Sequence, residues 1–482
     1  MISKVIIPFT LSWVLVLVGF LLPNLVKAGG CFGTDINGTC FKWDTSQPIV
    51  WNPDPGCLKC GLGNFDQELG DAQLSGEKGS GGSCQLIEKE EAANTDIDNA
   101  TARAMITAAF QKWMSVPGAK LIVQEGPALP EDANLATYTN YYIPDSKYNP
   151  NDPEHPLILY NPKHPLIKGC YDSDPNTPCY NPVIFDPNGL IMQDLIGPCN
   201  QYTVYGLGGI MPRDGFKDPI LKKGQFIINA ACMASSTVFP GCEDGGGCSR
   251  ILSKTDIEAV MVHELGHFLG MDHTQVAPES AWLCSGLPNG CTGDLKDDIP
   301  TMYDRLIQNG GQETLHIDDK VAFAKLYPDP DPANQTFKKQ DCTIKGSAWH
   351  NGSYLRCAEI LAVPVSGALD GESFDYANAV SVISGAEAPK IDVSHRDQWN
   401  CSKAGGQCSK FEISGIKVGQ TYRLQIHPIY DWKTSIEPCY PALDSQGQVM
   451  HEVPNIQPNL DAYEFTCNEA GKVLTVGYIN AK

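Results

Sequence analysis

The sequence predicts an α+β fold that gives way to an all-β domain. Helical apolar stripes with start and stop signals occur around residues 98–116, 255–269 and 318–327. Short β-prone runs are interleaved with them, which makes the first part α+β. After Pro328-Asp329-Pro330-Asp331-Pro332 the helical pattern stops. Such a stiff proline-rich stretch marks a domain boundary. The expected division is residues 1–28, 29–328, a linker at 329–334, and 335–482.

The chain opens with Lys4, an apolar run from Val5 to Leu22, a break at Pro23-Asn24, and then Val26-Lys27-Ala28-Gly29. A positive start, an apolar core and a small residue at the cut make a secretory signal peptide, cleaved after Ala28. Two other readings stay open. The apolar run is near the lower limit of about 17 residues for a membrane span. Ala28-Gly29-Gly30-Cys31 is a weak lipobox that would anchor a lipid at Cys31. No later segment suggests a transmembrane helix.

Pro48-Ile49-Val50-Trp51-Asn52 reads as the first strand. Residues 53–93 form a loop-rich insertion, and 75–83 are a flexible Gly/Ser tract. Cys57 and Cys60 have redox or zinc spacing, but no second close pair or βαβ pattern accompanies them, so a disulfide is expected. Asp98 caps the first helix, whose stripe is Met105, Ile106, Ala109, Phe110 and Trp113, and Pro117-Gly118 stops it. Lys120-Leu121-Ile122-Val123-Gln124 follows as a strand. Residues 144–182 are an insertion stapled by Cys170 and Cys179. Val183-Ile184-Phe185-Asp186 is a strand, Asp186 to Gly189 a turn, and Leu190-Ile191 further β. Asp186 and Asn188 are alternatively half of a calcium site. Gly224-Gln225-Phe226-Ile227-Ile228-Asn229 is another strand. Thr255 and Glu258 make a capping box for the next helix, in which Met261, Leu265, Phe268 and Leu269 face the core.

That helix carries the chemistry. From His263 to His273 the chain spells H-E-x-x-H-x-x-G-x-x-H. A helix sets His263 and His267 one turn apart on one face, so two imidazoles reach one metal. Gly270 lets the backbone turn out of the helix and bring His273 back as a third ligand. Three imidazoles suit Zn²⁺ and leave a fourth position for water. Glu264 then stands as general base on that water. The bland alternative is a core helix with two chance histidines; Gly270 and His273 argue against it.

The stretch resembles the metzincin zinc peptidases. Asp298-Ile299-Pro300-Thr301-Met302-Tyr303 is similar to that family's methionine turn, with Met302 as its methionine. Thr274 after the third histidine, and the Met302-Tyr303 pair, are similar to the matrixin branch. Asp304 stands where astacin-like and serralysin-like enzymes carry a zinc-binding Tyr, so no tyrosine ligand is expected. Leu315-His316, Asp318-Asp319 and Leu326-Tyr327-Pro328 resemble a matrixin-like C-terminal helix, and Phe41-Lys42-Trp43 resembles the domain's entry.

The resemblance covers about residues 40–328, with large insertions. It implies a twisted mixed sheet with two long helices and a C-terminal helix, one catalytic Zn²⁺, and hydrolysis of internal bonds in protein or peptide substrates. It also implies that Gly224 to Asn229 is the antiparallel edge strand of the cleft, with Gln225, Phe226 and Ile227 against the substrate backbone. No Pro-Arg-Cys-Gly-type switch is visible, so no matrixin-style propeptide is expected. The 28 residues between His273 and Met302 exceed the matrixin norm and are stapled by Cys284 and Cys291. Beyond the linker, Phe411 to Tyr422 resembles the late strands of transthyretin-like modules. That implies a transthyretin-like or Ig-like β-sandwich that binds substrate or a surface, or stabilises the enzyme.

Composition bounds the rest. The 19 cysteines all follow the signal, which places the protein in a secreted, extracellular or cell-envelope setting with disulfides. Cys242 with Cys248 and Cys401 with Cys408 are further close pairs. The odd count leaves a lipidated Cys31, a free thiol or an intermolecular bond. Without Lys4 and Lys27 there are 33 basic and 56 acidic residues, a net charge of −23. This argues against nucleic acid or an anionic membrane as partner and is compatible with bound Ca²⁺. Five N-x-S/T sites stand at Asn37, Asn99, Asn334, Asn351 and Asn400. Two rival functions remain: a surface-polymer binding protein with structural zinc, and a zinc amidase acting on a non-protein amide.

Overall fold

In a computed structural model the chain is described over residues 30–58, 97–143, 179–196, 204–231, 252–387, 407–428 and 459–481, with short breaks inside these ranges, and at Cys170. The signal segment, the Gly/Ser tract, the Cys242 and Cys248 pair and Cys401 lie outside the described residues. Among the described residues no helix is long and apolar enough to cross a membrane.

The fold is α+β. Its first part is a five-stranded sheet in the order β2-β1-β3-β5-β4. The strands are β1 (Ile49–Pro53), β2 (Val123–Glu125), β3 (Pro182–Asp186), β4 (Gly206–Phe216) and β5 (Leu221–Asn229). Neighbours are parallel except at the β5–β4 pair, which is antiparallel and leaves β4 at the edge. Helix α1 (Asn99–Met114) begins where the Asp98 carboxylate accepts from the Thr101 N–H, and it buries the five residues of its apolar stripe. Its Phe110 ring meets Trp51 of β1 and Phe268 of α3 (Lys254–Phe268) at 5.9 and 5.5 Å. Each such buried ring contributes roughly 1.5–3 kcal/mol.

Three expectations are overturned. The strand with Gln225, Phe226 and Ile227 is not the edge: β5 lies between β3 and β4, and all three residues are buried. An apolar run such as Phe226-Ile227-Ile228 suits a strand covered on both faces. Leu190-Ile191 do not continue as strand but open a short helix, α2 (Leu190–Ile196). The reason is local: the buried Asp186 carboxylate accepts from the Met192 N–H and Asn188 from the Leu190 N–H, which satisfies the helix start. Finally, Cys31 is bonded to Cys40, so its sulfur is not open to a lipid.

Among the described residues no cysteine is free. The staples Cys170–Cys179 and Cys284–Cys291 form as expected, and Cys57 and Cys408 are also disulfide-bonded.

After α4 (Ile317–Leu326) the secondary structure turns to β. One sheet runs β10-β8-β12-β13, with β8 (Glu359–Ser366), β10 (Val380–Ile383), β12 (Thr421–His427) and β13 (Asn459–Thr466). The other runs β11-β6-β14, with β6 (Cys342–His350), β11 (Lys410–Ile416) and β14 (Val473–Asn480). Both sheets share one core, and Cys342–Cys467 ties β6 to the end of β13. The proline-rich stretch is not a free linker. Asp329 N–H donates to the Gly118 carbonyl at 2.9 Å. The same apolar core continues from Trp113 and Phe268 through Val321 and Leu326 to Ile344, Ile413 and Ile416.

Lys223 on β5 is fully buried and donates to the Tyr180 carbonyl. Burial pulls its pKa from 10.5 down to about 7. Over that window the unfolded chain holds a proton that the folded one does not, so stability rises with pH. Urea unfolding of wild type and Lys223→Met at several pH values should show the wild type gaining on the variant from about pH 7 towards 10.5. A gap that is independent of pH would refute this burial effect.

Candidate metal centre

Helix α3 starts two residues earlier than the sequence suggests. Ser253, not Thr255, is the N-cap: its hydroxyl accepts from Asp256 N–H and the Asp256 carboxylate accepts from Ser253 N–H. Both positions have capping-box spacing, and the earlier start gives the helix two more residues. The far end is held by donors from outside. Trp43 Nε1 donates to the Phe268 carbonyl at 2.9 Å and the Tyr327 hydroxyl to the Leu269 carbonyl at 2.6 Å. These satisfy carbonyls that a helix end leaves without partners. Gly270 follows at φ +85°, with Gly270 N–H on the His267 carbonyl and Met271 N–H on the Gly266 carbonyl. This is a Schellman turn, and it sends the chain back toward the helix. The segment at the start of the described chain pins the returning strand: Phe32 N–H donates to the Gly270 carbonyl and Asp272 N–H to the Gly30 carbonyl.

The turn brings His273 to the two helical histidines. The three Nε2 atoms lie 3.0, 3.0 and 3.2 Å apart. Two of the rings are fixed from behind. His263 Nδ1 donates to the Thr301 carbonyl at 2.7 Å and His267 Nδ1 to the Met271 carbonyl at 2.9 Å. A proton on Nδ1 leaves a lone pair on Nε2. Between His263 and His267, whose Nε2 atoms lie 3.2 Å apart, two lone pairs therefore face one another. Burial lowers the His263 pKa to about 4, opposed by the Thr301 carbonyl, so that ring stays neutral. Three imidazoles with converging Nε2 atoms can hold a metal ion, and these three residues are the group among the described residues that can.

Glu264 stands beside them. Its Oε2 accepts from the N–H of Gly208 on β4 at 2.6 Å. Burial raises its pKa to about 8, against the lowering effect of that N–H.

Met302 lies buried beneath, its sulfur against Gly266 between His263 and His267. The turn around it is fixed by one carboxylate. Asp319, near the start of α4, accepts from Thr301 N–H at 2.9 Å, Met302 N–H at 3.1 Å and His316 N–H at 2.8 Å. Burial, and then the neighbouring Asp318 charge, raise its pKa to about 7. His316 is structural: its Nδ1 accepts from Asp318 N–H and caps the helix.

The structure thus brings together His263, Glu264, His267, His273 and Met302. Gln225, Phe226 and Ile227 are buried on β5, one strand in from β4. Gln225 instead clasps Ile143, accepting its N–H at 3.0 Å and donating to its carbonyl at 2.7 Å. The edge strand beside Glu264 is β4, which sequence reasoning missed. Its glycines alternate, and a Cβ at Gly206 or Gly208 would fall 2.5 or 2.4 Å from Glu264 atoms. Glycines two apart on one strand face were the available signal. No family model and no curated protein matches the chain.

Because the Gly208 contact is with the Glu264 backbone carbonyl, the strand rather than a side chain must yield to a methyl there. Gly208→Ala should cost about 1–3 kcal/mol in denaturant unfolding. Gly209→Ala, whose Cβ meets nothing nearer than 3.9 Å, should cost far less. Equal losses would show that the close approach to Glu264 is unimportant.

Proposed function

We propose that this chain is a secreted zinc-dependent endopeptidase of matrixin-like, metzincin type. The observation that carries the reading is the convergence of three imidazole Nε2 atoms beside a carboxyl group held by an edge strand. The residues fit zinc. Tetrahedral bonds of about 2.0–2.1 Å put neighbouring nitrogens roughly 3.3 Å apart, close to the separations found here. The mixed sheet with a single antiparallel edge strand next to α3 supports the same reading.

Bound zinc supplies Lewis acidity toward water and the scissile carbonyl. The chain's own residues do the rest. Thr301 and Met271 hold the imidazoles in the tautomer that offers Nε2. β4 offers its outer backbone edge to an extended peptide, which suits many sequences. Glu264 takes a proton as the water oxygen bonds to the carbonyl carbon. It then delivers that proton to the amine nitrogen as the C–N bond breaks. The structural-zinc rival would require a fourth protein ligand. In the described residues three side chains converge, and Glu264 is engaged with Gly208 instead.

The test is an unbiased peptide pool, with cut sites read by mass spectrometry. Wild type should make internal cuts that a zinc chelator abolishes. Glu264→Ala should retain zinc by elemental analysis yet lose about 10²–10⁴-fold in rate. Zinc-loaded wild type that cuts no peptide would end the peptidase reading and favour the amidase.

A further inference from the structure

The residue after the third histidine is tied to the far domain. Thr274 is fully buried; its N–H donates to the Met302 carbonyl at 2.8 Å. Its hydroxyl donates to Asp318 Oδ2 at 2.7 Å. The other oxygen, Oδ1, accepts the backbone N–H of Ser381 at 2.6 Å. Ser381 lies on β10, the edge strand of a sandwich sheet, and its hydroxyl also approaches Asp318 at 3.3 Å. Asp318 is buried, so these contacts replace water. Two neighbouring contacts reinforce the junction. His316 Nε2 donates to the Tyr376 carbonyl at 3.0 Å, and Val276 packs with Leu361, Val363 and Ala379 of the sandwich.

We propose that the β-sandwich is part of the metal centre. Ser381, acting through the Asp318 carboxylate and the Thr274 hydroxyl, positions the third imidazole, His273. The proposal rests on reading the three histidines as a zinc site. Its logic is that of any partner standing behind a ligand. A side chain fixed by one rotatable backbone holds a metal poorly unless its neighbour is anchored, and such outer partners are worth about 10–100-fold in affinity. Here the anchor comes from across the proline-rich boundary. Ser381, Asp318 and Thr274 are positioning residues and touch no substrate.

The experiment uses the full chain and measures zinc affinity by chelator competition, together with the visible spectrum of the cobalt-loaded protein. Thr274→Val, Asp318→Asn and Ser381→Pro each remove one link. Proline deletes the outward N–H of an edge strand, a place where it is tolerated, and the Ser381 hydroxyl with it. Each should lose about 10–100-fold in zinc affinity and shift the cobalt spectrum. Thr274→Ser, which keeps the hydroxyl, should restore both. Lys325→Ala, which breaks the exposed Lys325–Glu387 pair across the same junction, should leave both unchanged. Thermal unfolding of the metal-free proteins separates lost folding from lost positioning. If Ser381→Pro does not fold, the Thr274→Val and Asp318→Asn pair decides. Acting through one bond, the double variant should lose no more than the worse single one. Additive losses, or folded variants with wild-type affinity, would overturn the positioning role alone. Wild type that takes up no zinc would overturn the metal site itself.

Discussion

The centre depends on three imidazole nitrogens being made to face one another. In water this arrangement would relax, because the lone pairs of His263 and His267, 3.2 Å apart, repel. Two backbone carbonyls prevent that for His263 and His267 by taking the Nδ1 protons. Each carbonyl must itself be immobile. That of Met271 is fixed by the Schellman turn at Gly270 and by pairing with the 30–32 segment. That of Thr301 is fixed because Asp319 holds the N–H groups of Thr301 and Met302. Fold stability is thereby converted into ligand orientation, and a cation entering the site relieves a repulsion that the rest of the chain has already imposed.

The edge strand answers to two demands. On the peptidase reading its outer backbone has to stay open, and it has to run close enough to α3 for Gly208 N–H to reach Glu264. A side chain at Gly206 or Gly208 would fill that space. Glycine weakens a strand, and the antiparallel pairing with β5, which is covered on both faces, offsets that weakness.

This dual role explains what the sequence made legible and what it hid. The convergence of the three histidines and the place of Glu264 beside them could be read because helix geometry and one glycine link spacing to direction within eleven residues, from His263 to His273. Met302 was singled out only by the resemblance of its segment to a methionine turn. The order of strands could not, since β4 and β5 are both extended and no local period distinguishes an interior strand from an edge. The apolar run of Phe226-Ile227-Ile228 in fact marks burial. The α3 start was ambiguous for a different reason: Ser253 with Asp256 and Thr255 with Glu258 have the same spacing. The carbonyls behind the imidazoles carry no side-chain signature, so nothing in the residue types announces them.

The start of α4 shows why the proline-rich boundary is not an energetic one. Two adjacent carboxylates are buried there, and like charges so close would be costly if left to themselves. Asp319 is satisfied by three backbone N–H groups of the first domain. Asp318 has the Thr274 hydroxyl from that domain, and the Ser381 N–H and hydroxyl from the sandwich. Helix N-terminal N–H groups favour both charges. A sandwich that withdrew would strip Asp318 of donors and return it to water, releasing Thr274 at the moment the burial was undone. The change from mixed to all-β structure at Pro328 is visible in the sequence, but the free energy that holds the metal ligands is shared across it.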